Sequence, residues 1–248
     1  MKYFGVSDKG LVRNINQDSY CIITSEDGDV FAMVCDGIGG AKAGDIASRM
    51  VVDYFSKHFS VHTGFMDLDD ASSWLRVNIA RINQQIYHLA QANENYKGMG
   101  TTLTGILFTR VGRLIVNIGD SRVYGLNYEN EFKQLTEDHS LVNDMLKHQE
   151  ITLEEAKNHP KRNVLTNAIG VWSSVKIDIT PYQLPMKSFL ICSDGLHGYV
   201  KEEYLVDILN NGALASSLKP RKLLNLALKA GGYDNITIIL IELEKGDN

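Results

Sequence analysis

The chain has 248 residues, with 25 Lys+Arg against 30 Asp+Glu for a formal charge of −5, and 44% of its residues are hydrophobic against 22% charged. Mild acidity argues against a nucleic-acid or anionic-membrane binder, because such proteins need surplus basic side chains to displace counterions. The composition is that of a foldable globular protein, and the length suits one domain over residues 1–248 with a sizeable core.

Residues 3–7, 19–24 and 30–35 are rich in β-branched and aromatic side chains and read as strands, with Glu26-Asp27-Gly28-Asp29 as the turn between the last two. Ile46, Ala47, Met50, Val51, Tyr54, Phe55 and Phe59 then recur at helical spacing. Leu75, Ile79, Ile82, Ile86 and Leu89 do the same in a second helix, with its N-cap expected at Ser72 or Ser73. Strands resume at 102–109, 113–118, 122–128 and 132–135, close enough in sequence for an antiparallel meander. From about 139 to 172 the chain turns polar, with a small helix at 141–147 and a capping box of Thr152 and Glu155. This stretch reads as an excursion off the main core. Strands follow at 175–180 and 189–192, then a helix around 202–209, another opened by Pro220 and stopped by Gly231-Gly232, and a closing strand at 236–243. Strand groups separated by helix pairs predict an α+β layered architecture.

No apolar run approaches the roughly 18 residues needed to cross a bilayer. The start, MKYFGVSDKG, lacks the apolar stretch of a secretory signal, so a cytoplasmic protein is expected. Cys21, Cys35 and Cys192 each sit in an apolar strand-like run without CxxC spacing, and read as reduced core residues in preference to a redox switch.

The informative residues are aspartates at strand ends. Asp36, Asp120 and Asp194 follow apolar strands, and Asp18 and Asp234 precede them. Any single one is as readily a turn residue; the set is harder to dismiss. If the strand ends converge, mutual repulsion raises the carboxyl pKa values unless cations are bound. Hard oxygen ligands without a Cys/His cluster select Mg²⁺ or Mn²⁺, and four carboxylates neutralise two such ions. A pair of divalent ions about 3.5–4 Å apart is the apparatus of phosphoester hydrolysis. In Asp36-Gly37-Ile38-Gly39-Gly40 the backbone can approach closely, and the Gly37 carbonyl is a candidate ligand. The run is no nucleotide loop, since Lys42 stands between Ala41 and Ala43 where a Walker or dinucleotide motif needs other residues. Arg13 is a candidate phosphate clamp, although a lone arginine is more often a solvated surface charge. His139 suits a structural hydrogen bond better than proton transfer, and His197 shows no informative spacing.

These residues resemble the bacterial metal-dependent type 2C protein serine/threonine phosphatases. The matching stretches are Arg13-x-x-Asn16-Gln17-Asp18, Asp36-Gly37-Ile38-Gly39-Gly40, Gly100-Thr101-Thr102, Gly119-Asp120-Ser121-Arg122, Leu135-Thr136-x-Asp138-His139-Ser140, Ser193-Asp194-Gly195-Leu196 and Gly232-x-Asp234-Asn235. Each is short, but they run in family order over nearly the whole chain. The resemblance implies a four-layer sandwich, two antiparallel sheets flanked by helix pairs. It also implies two Mn²⁺ or Mg²⁺ ions bridged by Asp36, with the Gly37 carbonyl, Asp194 and Asp234 at the first and Asp18 at the second, mainly through water. Asp120 with Asp194 resembles the third-metal site of bacterial members. Arg13 would hold the substrate phosphate, and the 139–172 excursion resembles a mobile flap that influences substrate choice. Ile38 departs from the many eukaryotic members that have a histidine general acid there, which leaves the acid unassigned, with a metal-bound water the preferred substitute because a cation makes bound water more acidic.

The resulting expectation is hydrolysis of protein phosphoserine and phosphothreonine by direct attack of metal-activated water. The enzyme would oppose a bacterial serine/threonine kinase and act as a monomer with neither nucleic-acid nor membrane partners. A small-phosphoester hydrolase is the second reading, separable by comparing a phosphothreonine peptide with free phosphometabolites. A non-catalytic phosphoprotein-binding regulator is the third, and the intact Asp18, Asp36, Asp194 and Asp234 count against it.

Overall fold

Alternation along one strand sets the architecture. Phe31, Met33 and Cys35 pack in a buried cluster with Ala47, Val51, Phe55, Leu75 and Ile79. Their neighbours Val30, Ala32 and Val34 pack in a different cluster with Ile106, Val123, Phe189, Ile239 and Ile241. A strand buried on both faces lies between two other layers. The computed structural model describes residues 1–39 and 43–244, so Gly40, Ala41 and Lys42 lie outside the described residues.

Strands β1 (Lys2–Asp8), β2 (Ser19–Thr24), β3 (Val30–Cys35) and the two-residue β4 (Gly37–Ile38) precede helices α1 (Gly44–Phe59) and α2 (Leu68–Ala92). Next come β5 (Gly100–Thr101), β6 (Leu103–Thr109), β7 (Gly112–Ile118), β8 (Arg122–Leu126) and β9 (Phe132–Gln134). The polar excursion carries α3 (Leu141–Lys147) and α4 (Leu153–Lys157). The chain then runs through β10 (Asp178–Pro181), β11 (Ser188–Cys192), α5 (Asp194–His197), α6 (Glu202–Asn210), α7 (Lys219–Lys229) and β12 (Ile236–Glu242). One antiparallel sheet has the order β1-β12-β11-β8-β9 and the other β10-β7-β6-β3-β2. Helices α1 and α2 cover the outer face of the second sheet. Leu196 of α5, Leu205 of α6 and Leu223 of α7 cover the first, against Leu190, Ile236 and Ile238. The expected α+β four-layer sandwich is what forms.

Three local expectations are corrected. Helix α2 begins earlier than Ser72 or Ser73, because Asp67 caps it by accepting the Asp70 N–H at 2.8 Å. The strand expected at 175–180 starts only at Asp178, since the Asn167 side chain takes both the N–H and the carbonyl of Lys176 and replaces a strand partner there. The excursion rejoins the core before residue 172: Asn167, Ala168 and Ile169 are buried, and Ile169 pairs with Thr101.

Cys35 and Cys192 are buried and Cys21 half-buried, all as free thiols. Burial pushes the Cys21 and Cys192 thiols up to about 12 and Cys35 well above its ordinary value. None of the three has the thiolate character a redox switch requires.

Candidate active site

Antiparallel register places the acidic residues. Ser19 pairs with Cys35, so Asp18 and Asp36 sit next to each other just past the ends of β2 and β3. Ile238 pairs with Cys192, which brings Asp194, after β11, and Asp234, before β12, to the same edge of the other sheet. Asp120 occupies the turn between β7 of one sheet and β8 of the other. Register and connectivity thus place these five aspartates at strand ends and at the turn that joins the two sheets.

Hydrogen bonds from the motif residues hold this edge in place. Asn235 Nδ2 donates to the carbonyls of Lys9 and Ile15 at 2.8 and 2.9 Å, while its Oδ1 accepts the Gln17 N–H at 2.8 Å. One side chain thus fastens the loop that carries Arg13 and Asp18 to the start of β12. The Asp36 N–H donates to Thr102 Oγ1 at 2.9 Å, and Thr101 Oγ1 donates to the Asp36 carbonyl at 3.0 Å. Gly37 N–H donates to the Gln17 carbonyl at 3.2 Å. Ser193 Oγ donates to Asp18 Oδ2 at 2.8 Å and accepts the Thr237 N–H at 3.0 Å. Arg122 grips Asp138 through Nε and a terminal nitrogen, the latter at 2.7 Å.

Electrostatics show that the carboxyls share one field. Burial, followed by the charges of Asp18, Asp194, Asp120 and Asp234, holds Asp36 well above its ordinary value. Burial, then Asp120, Asp234 and Asp18, does the same to Asp194, with Arg13 opposing. Asp18 is raised to about 6 and Asp120 to about 7, in both cases chiefly by burial. Arg13, half-exposed, reaches into this acidic field and donates to Asp234 Oδ2 at 2.7 Å.

The residues fit divalent cations by chemistry. Their donors are hard oxygens, their mutual repulsion calls for positive charge, and Asp18 Oδ1 is buried with no hydrogen-bond partner among the described residues. Among the described residues no three His, Cys, Asp or Glu side chains form a preformed cage around one point. The fit therefore rests on donor type, shared field and the orphaned Asp18 oxygen.

The sequence reading missed His197, whose Nε2 lies 3.0 Å from the Asp120 carbonyl and ties α5 to the Asp120 turn. Its only local signal is the spacing of three from Asp194, which puts both on one helix face. Ile38 is half-buried in β4, opposite Gly100.

Comparison with known proteins identifies the family. The family described as protein phosphatase 2C matches residues 12–229. The chain is 38% identical over 245 residues to the serine/threonine phosphatase stp of Listeria welshimeri, covering 97% of this chain and 96% of that one. It is 35% identical over 243 residues to protein phosphatase PhpP of Streptococcus pneumoniae, covering 98% and 97%. The crystal structure of serine/threonine phosphatase Stp1 from Staphylococcus aureus superposes with a TM-score of 0.92 at 36% identity, over 98% of this chain and 95% of that one. With the fold, the motif order and nearly full-length relatives in agreement, the chain belongs to the protein phosphatase 2C family of metal-dependent protein serine/threonine phosphatases.

Proposed function

We propose that the acidic edge binds two Mn²⁺ or Mg²⁺ ions through Asp36, Asp18, Asp194, Asp234 and the Gly37 carbonyl, with a third ion at Asp120 and Asp194. The observation that carries this is the placement of five aspartates at strand ends and at the turn joining the two sheets, where their charges act on one another. Bound divalent ions supply Lewis acidity, which makes water nucleophilic at neutral pH and offsets charge on phosphoryl oxygens. Ser193 Oγ is engaged with Asp18 and Thr237, which supports direct attack of water on phosphorus without a phosphoenzyme. Ile38 carries no transferable proton, which leaves protonation of the leaving oxygen to water as well. The substrates are phosphoserine and phosphothreonine proteins made by a serine/threonine kinase, and the chain acts on them as a cytoplasmic monomer. None of the described helices is long and apolar enough to cross a membrane. Phosphate release from a phosphothreonine peptide should be rapid in Mn²⁺ and absent in chelator. Equal or faster release from small phosphometabolites would favour the narrower hydrolase reading.

Arg13 binds the substrate phosphate. Its side chain is 51% exposed and bonded only at one terminal nitrogen in the described contacts, so it can exchange Asp234 for a phosphate dianion, which suits a guanidinium fork. Arg13→Ala should raise KM by about tenfold with little change in kcat, as loss of uniform binding does. A pure kcat defect contradicts the assignment.

Residues 1–248 form one catalytic domain, and the excursion from 139 onward acts as its substrate-facing flap. Helix α3 buries no residue and α4 buries only Ala156, so few core contacts hold this stretch. Deleting its central portion should change preference among phosphoproteins more than hydrolysis of a small aryl phosphate; equal losses on both would refute the flap role.

A further inference from the structure

Gly119 immediately precedes Asp120, and His139 bonds both its carbonyl and its N–H. Gly119 adopts a φ of 106°, a conformation that L side chains rarely take. The His139 backbone N–H donates to the Gly119 carbonyl at 2.9 Å, and the Gly119 N–H donates to His139 Nδ1 at 3.1 Å. Asn167 Nδ2 lies 2.9 Å from the same Nδ1. The Asn167 amide cannot be reversed without loss, because its Nδ2 also donates to the Lys176 carbonyl at 2.9 Å and its Oδ1 accepts the Lys176 N–H at 3.1 Å. Two N–H groups aimed at one ring nitrogen make it an acceptor, so the ring proton sits on Nε2, which donates to Asp178 Oδ2 at 2.8 Å.

The same histidine also faces the other way. Its carbonyl accepts the Thr166 N–H at 3.0 Å, and Thr166 and Asn167 belong to the limb through which the excursion returns to the core. His139 is buried, 6% exposed, and its hydrogen bonds run to Gly119, Asn167, Asp178 and Thr166 and to none of the five aspartates. We propose that His139, with Nδ1 as acceptor, is a positioning residue that fixes the Gly119 turn, and through it Asp120, against the returning limb of the excursion. This rests on Asp120 being a metal ligand. Gly119 is buried, so removing its acceptor leaves an unpaired N–H or turns the peptide, and Asp120 moves with it.

Three variants test this by calorimetric titration of Mn²⁺ into metal-stripped protein, with melting temperature followed in parallel. His139→Asn places an amide oxygen near the position of Nδ1, whereas His139→Gln extends toward Nε2 and vacates the Nδ1 position. Asp120→Asn and His139→Gln should each weaken the last-filled Mn²⁺ by about tenfold or more, while His139→Asn stays within about threefold of the parent. If His139→Gln does not fold, Asn167→Asp replaces it. That change leaves the ring in place, puts a carboxylate against Nδ1, draws the ring proton there and should weaken the same ion. Loss in Asp120→Asn with an unchanged isotherm in His139→Gln or Asn167→Asp overturns the proposal while leaving Asp120 as a ligand. Equal losses in the Asn and Gln variants also overturn it, because burial alone would then explain the effect. An unchanged isotherm in Asp120→Asn removes the ligand assignment and the proposal with it.

Discussion

Asp36→Asn should lower kcat/KM in Mn²⁺ by at least about a thousandfold, equal to about 4 kcal/mol of transition-state stabilisation, and yet raise the melting temperature of the metal-free protein. Both effects come from one position. Asp36 lies beside Asp18 at the ends of β2 and β3 and feels the charges of four other aspartates, so it contributes most where a cation is present and costs most where none is. The amide keeps the shape of the carboxylate and removes only its charge. Near-normal turnover in Asp36→Asn would refute the metal assignment at its centre.

The stability arm follows from proton linkage. A carboxyl whose folded pKa lies above its unfolded value binds its proton more tightly when folded, so stability falls as pH rises from the unfolded value through the folded one. Asp18, raised from 3.8 to about 6, corresponds to about 3 kcal/mol lost across that interval in the metal-free protein. Asp120, raised to about 7, extends the window upward. Chelated parent protein should therefore melt lower at pH 8 than at pH 5, and Asp36→Asn should flatten this slope and melt higher at pH 8 by on the order of 5 °C. In Mn²⁺ the order reverses, because ion binding stabilises the folded state by mass action and the variant binds less. Calorimetric melting at both pH values, with chelator and with Mn²⁺, checks all four conditions. A parent protein whose chelated stability rises between pH 5 and 8 would contradict the shared-field description.

The features legible in the sequence were those with a short period or a marked position. The apolar, β-branched and aromatic run Val30–Cys35 announces a strand, helical spacing announces α1 and α2, and an aspartate directly after an apolar run marks a strand end. Features created by distant partners were not legible. The pairing of Gly37–Ile38 with Gly100–Thr101 involves two residues on each side, too few to show a period. Asn235 stands in a matched motif, but what its side chain does is visible only when the fold brings Lys9, Ile15 and Gln17 around it. Val175 and Ile177 have strand propensity, but the Asn167 side chain occupies the backbone between them, a tertiary override of local preference. Ser72 and Ser73 are acceptable caps by type, yet Asp67 with Asp69 and Asp70 in the first turn suits the helix dipole better and sets the start.

The second large effect is expected at Gly195, where fold and site share one contact. An added Cβ there would meet the Asn235 carbonyl oxygen at 1.9 Å and its carbon at 2.9 Å. Gly195 lies in helix α5, where alanine is favoured by propensity, so the cost of Gly195→Ala is purely steric. The atom in the way is backbone and cannot rotate aside. The start of β12 must shift, and it carries Asp234 on one side and the side chain that anchors Gln17, Lys9 and Ile15 on the other. Overpacking of this kind costs about 3 kcal/mol, or a fall of about 6–12 °C in melting temperature for a chain of this length. A displacement near 1 Å at a catalytic group costs about a hundredfold in rate, so kcat/KM should fall even below the melting transition. Gly212→Ala is the control: nothing lies within 4 Å of its Cβ position, and the substitution should be neutral or stabilise by about 0.4–1 kcal/mol through the unfolded chain. If Gly195→Ala melts and turns over as the parent does, α5 and the start of β12 are not in the contact that holds Asp194 and Asp234 on one edge.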